Sequence, residues 1–71
     1  MSSNDNFNPP SRDEIKIGDE VWIIERENYG TDNYKSGYVA QILTSVSHHP
    51  RGIKVRLKDG SVGRVQYKAE V

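Results

Sequence analysis

The stretch Gly52 to Lys58, GIKVRLK, alternates strictly, with Ile53, Val55 and Leu57 on one side and Lys54, Arg56 and Lys58 on the other. A period of two belongs to a strand with one buried and one wet face, because successive side chains of an extended chain point to opposite sides of a sheet. Asp59-Gly60 follows at once, the strongest short-range signal for a hairpin, and Ser61 to Gln66 (SVGRVQ) is the returning strand. A two-residue turn at Asp59-Gly60 would pair Leu57 with Val62 and Val55 with Arg64, and so would bury an arginine. A bulge at Gly63 resolves the conflict by switching the alternation, sending Arg64 outward and Val65 inward. Gly37 has the same look.

The rest of the chain is punctuated in the same way. From Ile15 onward, β-branched residues cluster into short runs separated by Gly, Asp, Asn and Ser, with no sustained helical period. Gly18-Asp19 precedes a strand at Glu20 to Glu25 (EVWIIE), and Ser36 to Thr44 (SGYVAQILT) is apolar on both faces at its middle, as in a long, bent strand. Four to five strands without a helix predict an all-β fold, a small, strongly curved antiparallel SH3-like barrel. An OB-type barrel normally needs a longer chain and a helix between its strands. The expected core is Ile17, Val21, Ile23, Val39, Ile42, Ile53, Val55, Leu57, Val62 and Val65.

At 71 residues the chain has room for one domain, and with no cysteine it folds on its core alone, without disulfides or Cys-ligated metal. The barrel is expected over residues 13–71 and a disordered tail over 1–12, rich in Ser, Asn and Pro. Ser11-Arg12-Asp13-Glu14 matches a capping box, here good for one helical turn at most before Gly18. The longest apolar run is four residues, too short to span a bilayer, so the expectation is a cytoplasmic protein with no membrane partner.

The formal net charge of zero conceals a division. Residues 1–33 carry eight acidic and three basic side chains, a balance of −5, and residues 34–71 carry seven basic and two acidic, a balance of +5. Lys54, Arg56 and Lys58 alternate along one strand, Arg64 joins them from its neighbour, and Lys35 and Arg51 flank them. Such a face suits phosphate contacts, and RNA or a ribonucleoprotein is the partner it points to. The competing reading is a solvated strand face, or one neutralised by the acidic half across the barrel.

Trp22, Tyr29, Tyr34 and Tyr38 are candidates for the alternative function, a protein-interaction module with an aromatic cage or peptide groove. The plainer version is a second small core beneath the loop from Arg26 to Lys35, with Trp22 packed under it or exposed. His48-His49-Pro50 lies in a loop; adjacent histidines diverge and no third ligand is spaced to join them, so no metal or cofactor is expected. No nucleophile elbow, P-loop or dinucleotide glycine pattern occurs, and a binding module is expected rather than an enzyme.

Two resemblances emerge from these residues. Gly18-Asp19-Glu20-Val21, with Gly37-Tyr38-Val39 and Ile42, resembles the opening of a KOW-type module. The closer one joins Gly37 to Thr44 (GYVAQILT), His49-Pro50 and Gly52 to Val65 (GIKVRLKDGSVGRV), and is similar to the YwbE family of small uncharacterised proteins. It implies an SH3-like, KOW-like barrel and carries no biochemical activity over to this chain.

Overall fold

The structure is a computed structural model and describes residues 8–69. Four strands, β1 (Glu20–Glu25), β2 (Lys35–Ile42), β3 (Lys54–Leu57) and β4 (Val62–Lys68), pair antiparallel in chain order, and β4 returns to β1 to close the barrel. This is the small all-β barrel expected from the alternation. Among the described residues, no helix is long and apolar enough to cross a membrane.

Val21, Ile23, Val39, Ile53, Val55, Leu57 and Val65 fill the interior and are essentially inaccessible, with Ile15 beside them and Ile42 packed at the edge. Burial of each contributes about 1.5–3 kcal/mol. Two residues expected in this core lie outside it. Ile17 is 59% exposed because Lys16 to Asp19 form a tight turn, closed by Asp19 N donating to Lys16 O at 3.0 Å, which throws Ile17 outward at its corner. Ile15, before the turn, takes the buried place.

Val62 is the second, and its displacement comes from the hairpin loop. Gly60 N donates to Leu57 O at 2.9 Å and Leu57 N to Ser61 O at 2.7 Å, with Gly60 at φ 93°, so the loop holds three residues, Lys58 to Gly60. A type I turn followed by a left-handed glycine is the standard three-residue hairpin. The pairs are therefore Arg56 with Val62, Val55 with Gly63 and Lys54 with Arg64. Arg64 escapes the core as required, but the added residue is Gly60 and no bulge forms at Gly63. Val62 goes to the outer face with Arg56.

Gly63 is needed for another reason. It opposes Glu25 of β1, and a Cβ there would lie 2.6 Å from Ile24 O and 2.9 Å from Ile23 Cδ1. At Gly37 too there is no bulge, only the Leu57 side chain pressed close. The register shifts fall elsewhere: Ala40 is the extra residue between the pairs Val39–Leu57 and Gln41–Arg56, and Gln66 is the extra residue between Trp22–Tyr67 and Ile23–Val65.

Of the tail expected over 1–12, residues 1–7 lie outside the described part. Further on, Pro9 is buried, and Arg12 donates from its backbone N to Ser47 O and from Nε to Thr44 O, both at 2.8 Å. Packing onto the barrel thus begins ahead of residue 13. Arg12–Glu14 form one short helical turn, with Ser11 N donating to Glu14 Oε1 at 2.8 Å, and Arg26–Asn28 form another after β1.

Candidate nucleic-acid interface

Closure of the barrel sorts the outward side chains into cross-strand rows. Ile24, Arg64 and Lys54 form one row across β1, β4 and β3; Val62, Arg56 and Gln41 form the next across β4, β3 and β2. Lys54 and Arg56 are both exposed, on the same face of one short strand. Arg56 donates to Gln41 Oε1, which orients its guanidinium along the sheet. Lys58 is exposed at the start of the hairpin loop, tied by its backbone N to Tyr38 O at 2.9 Å.

The other three expected cations are engaged. Lys35 pairs with Asp59 Oδ2 at 3.0 Å and donates to Ser61 Oγ at 2.6 Å, and the bond to Asp59 raises its pKa. Asp59 also accepts from Ser61 N at 2.9 Å; that bond first, then Lys35, brings its carboxyl down to about 2. Arg64 is half-buried, with one terminal nitrogen donating to Gly52 O at 3.1 Å and Nε buried without a partner. The Arg51 guanidinium lies 5.9 Å from the centroid of the Tyr29 ring. The six residues therefore divide into an open set on β3 and its turn (Lys54, Arg56, Lys58) and a set also held by the fold (Lys35, Arg51, Arg64).

Lys54, Arg56 and Lys58 take part in neither ion pair among the described residues. Among the described residues, the two ion pairs are Lys35–Asp59 and Lys68–Asp19.

His49 stands beside this cluster. Its Nδ1 accepts from Arg51 N at 3.1 Å, and its carbonyl accepts from Gly52 N at 2.9 Å, so it shapes the loop leading into β3. Desolvation, then the charges of Arg64, Arg51 and His48, push its pKa down. Among the described residues, no three His, Cys, Asp or Glu side chains are grouped to hold a metal.

The aromatic residues separate into two places. Trp22 and Tyr67 face each other across β1 and β4, and Tyr34 meets Tyr67 edge-on with ring centroids 5.7 Å apart. Trp22, Tyr34, Tyr38 and Tyr67 are 41%, 37%, 51% and 48% exposed. Of the expected group of Trp22, Tyr29, Tyr34 and Tyr38, Tyr29 meets the Arg51 guanidinium and lines a cleft with Ile24. Under the loop from Arg26 to Lys35 it is Ile24, 6% exposed, that is covered, rather than Trp22. Ile24, Tyr29, Gly30, Thr31, Pro50, Arg51 and Gln66 line an open cleft of about 190 Å³. The bulge at Gln66 sets which side of β4 Gln66 and Tyr67 occupy, and nothing in the local sequence marks that bulge.

The structure is thus a closed four-stranded barrel with a basic strand face and an aromatic wall. The chain belongs to the family described as "Uncharacterized conserved protein (DUF2196)", whose model matches residues 8–67. It is 42% identical over 60 residues to the "Uncharacterized protein YwbE" of Bacillus subtilis (strain 168), covering 84% of this chain and 92% of that one. No solved structure matches it.

Proposed function

We propose that this protein binds RNA through the outer face of β3, with Lys54, Arg56 and Lys58 on phosphates and Arg51 and Arg64 flanking them. The observation that carries the reading is the pair Lys54 and Arg56, exposed on one strand face and absent from both ion pairs among the described residues. Contacts of this kind are electrostatic and carry little sequence preference. Titration of the labelled protein with RNA and DNA oligonucleotides at low salt tests it: amide shifts centred on β3 and the hairpin turn are expected. Absence of shifts there at low salt would remove the proposal.

A second reading, a protein partner held on the aromatic wall, is supported by the exposure of Trp22, Tyr34 and Tyr38. Binding of that kind is weakly dependent on salt and is lost on Trp22→Ala or Tyr34→Ala while the fold survives. Affinity purification with and without RNase separates the two readings.

A further inference from the structure

Resting on the RNA reading, we propose that the cleft between Tyr29, Arg51 and Ile24 receives one unpaired base of the bound strand. The cleft and the basic face are continuous. Ile24, at the cleft, opposes Arg64, and Arg64 opposes Lys54, so one cross-strand row leads from the cleft to the phosphate-binding strand. Two strand spacings of about 4.8 Å each put the ends of that row about 10 Å apart, a distance neighbouring nucleotides of one strand cover.

The cleft has surfaces suited to a base. Tyr29 supplies an aromatic ring and Arg51 a planar guanidinium, already associated at 5.9 Å, and bases unstacked from RNA lie on either type of plane. Ile24 and Pro50 supply apolar lining. Gln66 also lines the cleft, and both of its hydrogen bonds, to Arg51 O at 2.8 Å and Arg64 O at 3.2 Å, use Nε2, which leaves its amide oxygen as an acceptor for a base N–H. At about 190 Å³ the space is smaller than the roughly 300–1,000 Å³ of sites for drug-sized ligands, and fits a single planar group. The positive charges of Arg51, Arg64 and Lys54 beside it select an occupant attached to a polyanion over a neutral one.

The test compares a single-stranded RNA oligonucleotide with an abasic ribose-phosphate oligomer of the same length, followed by affinity and by amide shifts of the full chain. The base-bearing strand is expected to bind about ten-fold more tightly, in line with one stacked base. Amides of Tyr29, Gly30 and Thr31 are expected to shift with it and not with the abasic strand. Tyr29→Ala should erase the difference between the two strands and Tyr29→Phe should keep it, each variant checked for an intact amide spectrum. If both strands bind equally, or if base-dependent shifts fall on Trp22 and Tyr67 instead, the cleft is not the base site, and phosphate binding on β3 stands without it. If neither strand binds, the RNA reading falls, and this inference with it.

Discussion

Asp59 closes the hairpin loop with one carboxylate oxygen on Ser61 N and fastens the loop to β2 with the other, through Lys35. Its pKa in the folded chain is about 2, against 3.8 without these partners, so its contribution to stability is complete above 3.8 and is lost as pH falls from there towards 2. Thermal melts across that range should show the loss in the native chain, and Asp59→Asn should flatten it. An unchanged acid limb in the variant would mean that other carboxylates set it. Gly63 is a second residue on which the barrel depends. Gly63→Ala forces a methyl against Ile24 O, and overpacking of this sort costs about 1–3 kcal/mol, readable as a lowered denaturation midpoint.

At the scale of elements, the hairpin shows what local pattern determines and what it leaves open. The alternation of Gly52 to Lys58 marks both faces of β3, and Val55 and Leu57 are buried as it requires. Asp-Gly, by contrast, fits loops of two or three residues, and the choice moves Val62 from one side of the sheet to the other. The three-residue register predicts that Val62→Thr, on the outer face, costs under about 1 kcal/mol, whereas Val65→Thr buries a hydroxyl and costs about 1–3 kcal/mol. Urea denaturation of the two variants decides it, since equal costs would place both residues inside. The bulges at Ala40 and Gln66 were illegible for the same reason, because they answer to the curvature of a closed barrel rather than to any neighbour in sequence. β1 is legible over its full length, whereas the two places left open for Trp22, under the loop or exposed, are decided only in the fold, where Ile24 is covered and Trp22 is open.

Over the whole molecule, the division of charge along the chain marked the cations, and only the folded arrangement separates those engaged by the fold from those left open. Lys35 was indistinguishable from Lys54 in sequence, since its partner Asp59 lies in a distant turn. The cleft was likewise invisible, being built from β1, β4 and two loops. Its neighbour His49 offers a readout of anion binding. Arg64 and Arg51 help hold its pKa down, so the negative charge of a strand bound on β3 beside them should raise it, and binding should tighten as pH falls through the histidine range. A proton NMR titration of His49 with and without RNA checks this; an unmoved pKa would put the phosphates elsewhere. RNA binding by the β3 face is read from the salt dependence of RNA affinity. Three phosphate contacts through Lys54, Arg56 and Lys58 predict a log–log slope of about −2 for a single strand, reduced by about 0.7 with Lys54→Ala. A slope near zero, or one that Lys54→Ala and Arg56→Ala leave unchanged, would contradict RNA binding by the β3 face.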